Sequence, residues 1–155
     1  MTTALCPGSF DPPTLGHVDV VERAIKVFDR VVVSVVDNPS KESMFTIEQR
    51  IALLEELFGN QVTVTSFSGL LITHAIDQGA DVVVKGLRSI DDYEYEKQMS
   101  QMNRHLSGME TVYMSTAAEY GFVSSSLVKE VAKLGGDVTA LVPQAVARAL
   151  KEKLE

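Results

Sequence analysis

The amino-acid sequence predicts an α/β fold, in which helices cover both faces of a doubly wound sheet of five parallel strands. Five short runs of apolar and β-branched residues alternate with segments of helical periodicity, a pattern typical of parallel βαβ units. The runs are apolar almost throughout, as buried parallel strands are. No repeat, linker or low-complexity tract interrupts the 155 residues. This length predicts one domain over residues 1–155.

Each predicted strand has the short length that is typical of strands in a buried parallel sheet. The five strands cover residues 4–6, 30–36, 61–66, 80–85 and 110–115. Right-handed crossovers between successive parallel strands bring their carboxyl ends to one edge of the sheet. Ligands of such sheets bind outside that edge, near the point where the strand order reverses. We therefore expect the functional residues in the loops that follow the strands.

The helices follow from the spacing of apolar residues. Such residues recur every three or four positions over 18–28 and over 47–58, which places them on one face of a helix. Thr46 and Gln49 predict a capping box at the start of the second helix. Glycine follows three further helices as a stop signal, and Pro143 suits the first turn of the last one. These four helices cover residues 70–78, 91–106, 124–134 and 143–154.

The charge balance and composition disfavour several classes of protein. There are 14 Lys and Arg against 21 Asp and Glu, a net charge of −7, which disfavours binding to nucleic acid or to an anionic membrane surface. No apolar run approaches the ~18 residues that span a bilayer, and the first residues do not resemble a secretory signal. We expect a cytoplasmic protein without nucleic-acid or membrane partners. The single cysteine, Cys6, excludes an intramolecular disulfide and a multi-cysteine metal site.

Basic residues follow two of the predicted strands, in spite of the net negative charge. Lys41 lies in the loop after the second strand, and Lys85 and Arg88 lie at the end of the fourth. His17 lies at the start of the first helix, at the same edge of the sheet. Exposed lysines are usually only solvated, so the prediction rests on convergence. The sequence predicts a local cationic site for a small anionic ligand.

The N-termini of two predicted helices could help to bind an anion at the carboxyl edge of the sheet. The loop before the first helix contains two glycines and Ser9, and the fifth helix begins with the three serines 124–126. Free N–H groups and the positive end of a helix attract phosphate. The alternatives are an ordinary turn in the first case and an N-cap with spare serines in the second.

Several common motifs are missing from the sequence. It contains no G-x-G-x-x-G, G-x-x-x-x-G-K-[ST], G-x-S-x-G or H-E-x-x-H stretch, which disfavours dinucleotide-dependent dehydrogenases, P-loop NTPases, serine hydrolases and zinc proteases. His74 and His105 have no neighbouring Cys or His, so we expect them to be structural. No residue is predicted to ligate a metal ion.

Six stretches of the sequence form a recognisable set: PGSFDP (7–12), TLGH (14–17), KGLR (85–88), YEYE (93–96), MNRH (102–105) and FVSSSLVKEV (122–131). Together they resemble one family, bacterial phosphopantetheine adenylyltransferase, in order and over nearly the whole chain. The T-x-G-H stretch is similar to the H-x-G-H signature of the wider nucleotidyltransferase superfamily, with Thr14 in the first histidine position.

The resemblance implies a Rossmann-like nucleotidyltransferase domain and a defined reaction. ATP and 4′-phosphopantetheine would give dephospho-coenzyme A and pyrophosphate, with Mg²⁺ as cofactor. It also implies a homohexamer and, as a possible feedback ligand, coenzyme A. The 4′-phosphate is already a nucleophile at neutral pH, so the protein would supply positioning and charge stabilisation rather than a general base.

The resemblance also implies roles for individual residues. His17 would stabilise the transition state, with Lys41 and Arg88 as further catalytic cations. Phosphopantetheine would contact Ser9, Lys41, Leu71 and Lys85. The ATP site would comprise Ser9, Phe10, His17, Gly86, Leu87, Arg88, Glu96, Tyr120, Gly121, Phe122, Val123, Ser124, Ser125 and Ser126.

Three positions depart from common versions of the family. Ser9 is often Thr there, which keeps the hydroxyl, and Lys85 is often Arg, which keeps the charge but has a bidentate fork. Gly69 stands where some members have a polar side chain, which bears on contacts to the pantetheine arm.

Two other functions remain open at this point. A related nucleotidylyltransferase would use another acceptor, such as nicotinamide mononucleotide or a polyol phosphate, and a comparison of acceptors would identify it. A non-catalytic sensor of adenine nucleotides would keep the fold without turnover. The serine triplet and KGLR favour the pantetheine enzyme, and the presence of His17, Lys41 and Arg88 disfavours the sensor.

Overall fold

The computed structural model describes residues 1–155 and contains one five-stranded sheet. The strand order is β3-β2-β1-β4-β5, and every neighbouring pair is parallel. This confirms the predicted doubly wound, Rossmann-like α/β sheet. The strands are β1 (Thr3–Gly8), β2 (Arg30–Val36), β3 (Thr63–Phe67), β4 (Val82–Leu87) and β5 (Glu110–Ser115).

Six α-helices connect and follow the strands. Thr46 caps α2 and Gln49 completes the predicted capping box. Gly108 ends α4 with a left-handed φ of 76°, a conformation that glycine adopts without a steric penalty. None of the helices combines the length and the hydropathy needed to traverse a lipid bilayer. The helices are α1 (Leu15–Val27), α2 (Ile47–Phe58), α3 (Leu71–Asp77), α4 (Ile90–Ser107), α5 (Ser125–Lys133) and α6 (Gln144–Leu154).

The two faces of the sheet bury alternate residues of the same strands. Cys6 and Val33 face α1 and α2, where Val21 and Leu54 pack against them. The neighbours Leu5, Val32 and Val83 face the other side and pack against Ile72 and Ala75 of α3. This alternation is the two-residue period of a strand. Helices therefore cover both faces, as the sequence predicted.

A third apolar cluster joins the carboxyl-terminal helices to the rest of the fold. Phe45 and Leu53, just before and within α2, pack against Val128 of α5 and Val146 of α6. These side chains are between 0% and 7% exposed. Helix α5 is thereby fixed beside α2, with its N-terminus at the carboxyl edge of the sheet.

Strands β1 and β4 separate from each other toward the carboxyl edge of the sheet. Their register pairs only Ala4 with Val82 and Leu5 with Val83, whereas β1 continues to pair with β2 as far as Gly8. Pro7 lacks an N–H, and it is tolerated here because this part of β1 pairs on one side only. The strand order reverses at this gap, which is where a ligand site is expected.

Several boundaries differ from the sequence prediction: β3 is Thr63–Phe67 rather than 61–66, and β4 is Val82–Leu87 rather than 80–85. Strand β1 continues to Gly8 instead of ending at Cys6, because Pro7 and Gly8 pair with β2 although their residue types indicate a turn. Helix α1 begins at Leu15, three residues before Val18, since Thr14 caps it. Cys6 is 3% exposed, and burial raises the pKa of its thiol to about 12.

Candidate active site

A cavity of about 710 Å³ opens at the gap between the ends of β1 and β4, within the usual size range of ligand sites. Most of the residues predicted for the two substrates line it. Leu87, Tyr120, Gly121 and Phe122 do not line it. The predicted residues that do are Ser9, Phe10, His17, Lys41, Leu71, Lys85, Gly86, Arg88, Glu96, Val123, Ser124, Ser125 and Ser126.

His17 lies in the first turn of α1, held by the N-cap residue. The main-chain N–H of Thr14 donates to Nδ1 of His17 at 2.9 Å, and the Thr14 hydroxyl accepts from the His17 N–H. The Phe10 ring meets the imidazole edge-on, with centroids 5.0 Å apart. Burial, reinforced by the charge of Arg88, lowers the pKa of His17 to about 4. The imidazole is therefore neutral near pH 7, with its proton on Nε2.

Arg88 lies at the junction between β4 and α4 and is fixed by two groups. Its Nε donates to Oδ2 of Asp92 at 3.1 Å, and its Nη1 donates to the carbonyl oxygen of Val123 at 2.8 Å. The second contact connects β4 to the loop before α5. Asp92 and the Val123 carbonyl oxygen therefore hold the guanidinium in one orientation at the cavity wall.

Lys85 points to the opposite face of β4 from its neighbours Val84 and Gly86. Its Nζ lies 3.3 Å from Oε2 of Glu96 on α4. Because both side chains are partly exposed, at 25% and 20%, the pair contributes little stability. Lys85 can therefore exchange this partner for a more highly charged ligand.

Lys41 belongs to the segment of residues 37–46, which connects β2 to α2. Its main-chain N–H donates to the carbonyl oxygen of Asn38 at 3.0 Å, which forms a turn. The Lys41 side chain is exposed and pairs with no carboxylate. Among the cations that line the cavity, it is therefore the most available one.

The serine triplet lies at the start of α5, as predicted. The Ser124 hydroxyl caps the helix by accepting from the Leu127 N–H at 3.1 Å, and the Ser125 hydroxyl donates to the Pro12 carbonyl oxygen at 2.8 Å. Ser126 is exposed, and its hydroxyl forms no hydrogen bond within the protein. The helix N-terminus therefore offers one free hydroxyl and a positive dipole end to an anion.

Several charged residues of the cavity wall, including Asp11, Arg50 and Lys129, were missed by the sequence analysis. Asp11 is 5% exposed and pairs with Lys129 of α5 at 2.9 Å. Arg50 is 4% exposed and donates to main-chain carbonyl oxygens of Ser9 and Phe45. No local spacing in the sequence indicates these contacts, since Asp11 and Lys129 are 118 positions apart.

The balance of charge in the cavity differs from that of the whole chain. Five basic residues line it, namely Lys41, Arg50, Lys85, Arg88 and Lys129, against the four acidic residues Asp11, Glu42, Asp92 and Glu96. Three of the acids are paired with cavity cations. An excess of positive charge in a protein of net charge −7 favours an anionic ligand at this place.

The other two histidines lie outside the cavity. Nε2 of His74 is 3.1 Å from the hydroxyls of both Ser34 and Thr65, and its ring stacks on Phe67 at 4.5 Å. His105 is exposed near the end of α4. Neither belongs to a group of side chains that could hold a metal ion.

Comparisons of sequence place the chain among nucleotidyltransferases. Residues 5–131 match the profile of the family described as Cytidylyltransferase-like. A phosphopantetheine adenylyltransferase of Nocardioides sp. (strain ATCC BAA-499 / JS614) is 53% identical, over 99% of this chain and 98% of that protein. One from Alkaliphilus metalliredigens (strain QYMF) is 49% identical, over 99% of each.

Comparisons with solved structures agree with the fold. A protein from Vibrio parahaemolyticus assigned as a nicotinate-nucleotide adenylyltransferase superimposes with a TM-score of 0.65 at 16% identity, covering 97% of this chain and 99% of that one. A lipopolysaccharide core biosynthesis protein from Thermoplasma volcanium GSS1 gives 0.56 at 23% identity, covering 76% and 97%. At these identities the likeness concerns the fold alone.

Proposed function

Because the chain belongs to the phosphopantetheine adenylyltransferases of the cytidylyltransferase-like family, we propose that it transfers AMP from ATP to 4′-phosphopantetheine within this cavity. The chain is a nucleotidyltransferase of coenzyme A biosynthesis. The products would be dephospho-coenzyme A and pyrophosphate. One observation carries the assignment of the site: His17, Lys41, Lys85 and Arg88 all line a single cavity of an otherwise acidic protein.

ATP is assigned to the side of the cavity formed by β4, α4 and the start of α5. Arg88 and the N-terminus of α5 offer positive charge to its phosphates. Gly86 of β4 lines this side of the cavity. Glu96 can accept a hydrogen bond from the ribose. Leu87, Tyr120, Gly121 and Phe122 complete the proposed ATP site from outside the present cavity wall.

The phosphate of phosphopantetheine is assigned to the side formed by β1, Lys41 and Lys85. Ser9 offers a hydroxyl to it, and Leu71, at the start of α3, offers an apolar surface to the pantetheine arm. Gly69, two residues earlier, has a φ of 91° and no atom within 4 Å of an added Cβ. A φ of this sign favours glycine, which is consistent with this chain lacking a polar side chain at this position.

The proposed reaction is an in-line displacement at the α-phosphorus of ATP. An oxygen of the 4′-phosphate forms a bond to that phosphorus, while the bond from the phosphorus to the α,β-bridging oxygen breaks. Its electron pair leaves with pyrophosphate. Both reactants are anions, so the basic residues of the cavity reduce their repulsion and hold the reacting atoms together.

His17 is assigned as the donor that stabilises the transition state. Its neutral imidazole carries the proton on Nε2, because Nδ1 accepts from the Thr14 N–H. This leaves an N–H available for the oxygens of the α-phosphate, where negative charge increases during the displacement. A preorganised donor of this kind is worth about 3 to 4 kcal/mol of transition-state stabilisation.

Mg²⁺ is proposed to enter with the ATP phosphates. The chain has no group of three or more His, Cys, Asp or Glu side chains that could hold a metal ion. The oxygens of Asp11, the buried carboxylate of the cavity, are already bound by two main-chain amides and Lys129. Phosphate oxygens and water would therefore supply the ligands, and the roles given to the protein side chains do not depend on the ion.

We also propose an assembly, a feedback ligand and a location for the protein. A homohexamer is supported by apolar side chains left exposed on α4, including Tyr95 at 66%, Met102 at 53% and Leu106 at 52%. Coenzyme A is proposed as a feedback ligand, because it shares its pantetheine and adenylyl parts with the product. The cytoplasm is the proposed location, as the place where ATP is supplied.

The function is tested by incubating purified protein with ATP, Mg²⁺ and 4′-phosphopantetheine. We expect stoichiometric pyrophosphate and a nucleotide with the mass of dephospho-coenzyme A. The His17→Ala variant should abolish most of this turnover while remaining folded. ATP binding without product from this acceptor would contradict the assignment, and nicotinamide mononucleotide and polyol phosphates would then be compared as acceptors.

A further inference from the structure

The Asp11 carboxylate forms three contacts to groups from two distant parts of the chain. Its Oδ1 accepts from the Phe45 N–H at 2.8 Å, and its Oδ2 accepts from the Met44 N–H at 3.0 Å. The same Oδ2 accepts from Nζ of Lys129 at 2.9 Å. Asp11 is 5% exposed, so these contacts occupy it fully.

These partners belong to segments with different proposed roles. Met44 and Phe45 end the segment of residues 37–46, which carries Lys41. Lys129 lies on α5, whose N-terminus is assigned to ATP. Asp11 itself lies in the loop between Ser9 and His17. One buried carboxylate therefore connects the acceptor side, the ATP side and the loop of the proposed transition-state donor.

The Lys41 side chain has no partner of its own, so its position depends on how its segment is fixed. Residues 38–43 are exposed, and the segment contacts the body of the protein at its two ends. Arg50 donates to the carbonyl oxygens of Val36 at the first end and Phe45 at the second. Asp11 is the only carboxylate that receives main-chain N–H groups at the second end.

Asp11 is unsuited to contact a substrate directly. Its oxygens are occupied, and a negative charge would repel phosphate. Burial disfavours its charged form, but the Phe45 amide, Lys129 and the Met44 amide outweigh that effect and lower the pKa of the carboxyl. The group therefore remains an ionised acceptor at neutral pH.

We propose that Asp11 is a positioning residue for the acceptor substrate: through the main-chain amides of Met44 and Phe45 it fixes the segment 37–46, so that Lys41 faces the phosphate of phosphopantetheine. Lys129 neutralises the carboxylate and connects it to α5. The inference rests on the proposed function of the cavity and of Lys41. It assigns to Asp11 an effect on acceptor binding that is separate from its effect on folding.

The test compares the steady-state kinetics of Asp11→Asn with those of the unchanged protein. Asparagine has nearly the same size as aspartate but carries no charge. Its NH₂ group is a donor, so it cannot accept from the N–H groups that contact the carboxylate. Loss of a charge-assisted contact corresponds to roughly a tenfold effect, so we expect the KM for phosphopantetheine to rise about tenfold. The KM for ATP should change less than about threefold. Equal increases in both KM values, or no increase for phosphopantetheine, would overturn the proposal.

A double variant tests whether Asp11 acts through Lys41. In a Lys41→Ala background, Asp11→Asn should raise the KM for phosphopantetheine by less than about twofold, because the side chain that it positions is gone. Full additivity of the two changes would overturn the proposal. Asp81→Asn is the matched control, since the Asp81 carboxylate accepts from the Thr3 N–H at 2.7 Å, outside the cavity, and its KM values should be unchanged.

Two further measurements separate the possible failures. If Asp11→Asn does not fold, the Lys129→Gln variant is measured instead. Because this change leaves the Asp11 carboxylate without its cation, we expect the KM for phosphopantetheine to rise threefold or more while the KM for ATP is unchanged. An unchanged KM for phosphopantetheine would overturn the proposal. Turnover of the unchanged protein is measured first. Its absence would contradict the proposed function itself, whereas turnover with an insensitive Asp11→Asn variant would contradict only the role of Asp11.

Discussion

The main-chain nitrogen of Thr14 lies 2.9 Å from Nδ1 of His17 and donates its proton to that atom. This contact forms because His17 is the third residue of α1, where a side chain reaches back to the N-cap residue. The helix cap therefore determines the tautomer of the imidazole. Nε2 carries the proton, and the cavity receives a donor.

Replacement of this donor tests the transition-state role of His17. We expect His17→Ala to lower kcat by about 10²- to 10³-fold, with smaller changes in either KM, because the interaction operates mainly in the transition state. His105→Ala, at an exposed histidine outside the cavity, is the control and should keep its kcat. A kcat close to that of the unchanged protein would remove His17 from the mechanism.

The depressed pKa of His17 predicts a pH dependence of stability. Burial and the charge of Arg88 lower the pKa of His17 from 6.5 to about 4, so between these values the unfolded chain binds a proton that the folded protein does not. The free energy of unfolding must then fall as the pH falls through this window. From pH 7 to pH 5, we expect His17 to account for a loss of about 1 to 2 kcal/mol.

Chemical denaturation at the two pH values measures this effect. The His17→Gln variant cannot titrate at this position, so its stability should fall by about 1 to 2 kcal/mol less than that of the unchanged protein over the same interval. Parallel losses in the two proteins would show that His17 titrates normally in the folded state.

Lys41 is predicted to serve the acceptor rather than ATP. Its side chain is exposed at the cavity and has no carboxylate partner, so Lys41→Ala should remove a phosphate contact without disturbing the fold. We expect the KM for phosphopantetheine to rise more than the KM for ATP, measured by varying each substrate at saturation of the other. Lys26→Ala, at an exposed lysine in the last turn of α1, is the control. Equal effects on both substrates would contradict the assignment.

Arg88 is predicted to act through the geometry of its guanidinium as well as through its charge. It bonds Asp92 and the Val123 carbonyl oxygen with different nitrogens, an arrangement that lysine cannot reproduce. We expect Arg88→Lys to lower kcat/KM for ATP by about tenfold. The control is Arg104→Lys, which alters an exposed pair with Glu110 and should leave kcat/KM for ATP unchanged. Full activity of the Arg88→Lys variant would show that the positive charge alone suffices.

Gly86 is predicted to be required for packing at the cavity. A Cβ at this position would lie 2.9 Å from Cγ2 of Val20, so Gly86→Ala should force β4 and α1 apart and cost about 1 to 3 kcal/mol of stability. Gly16→Ala is the comparison, because its Cβ would meet its nearest neighbour at an ordinary 3.5 Å. Thermal unfolding should show a loss for the first variant and none for the second.

The sequence predicted the sheet and the helix limits where local chemistry determines them. The bounds of β2 and β5 match the prediction at both ends, since each is a run of strand-forming residues next to a turn signal. The capping box of Thr46 and the end of α4 at Gly108 are also confirmed, since local residue types determine both. The convergence of His17, Lys41, Lys85 and Arg88 on one cavity followed from the topology of a parallel sheet.

Features that depend on distant partners could not be predicted. Pro7 and Gly8 indicate a turn in isolation, and only their pairing with β2 makes them a strand. Arg50 resembles any surface residue of an amphipathic helix, but its partners are the carbonyl oxygens of Ser9, of Val36 at the end of β2 and of Phe45 just before α2. The contact between Asp11 and Lys129 joins residues far apart in the chain, and no spacing rule relates them.

Because Cys6 is buried in the central strand, the chemical labelling of its thiol can be used to measure unfolding. This thiol is the only one in the chain, it is 3% exposed, and its pKa of about 12 leaves almost no thiolate near neutral pH. An alkylating reagent can modify it only when β1 leaves the sheet. The rate of labelling in buffer without denaturant therefore measures how often the core opens, and a substrate that stabilises the folded state should slow it.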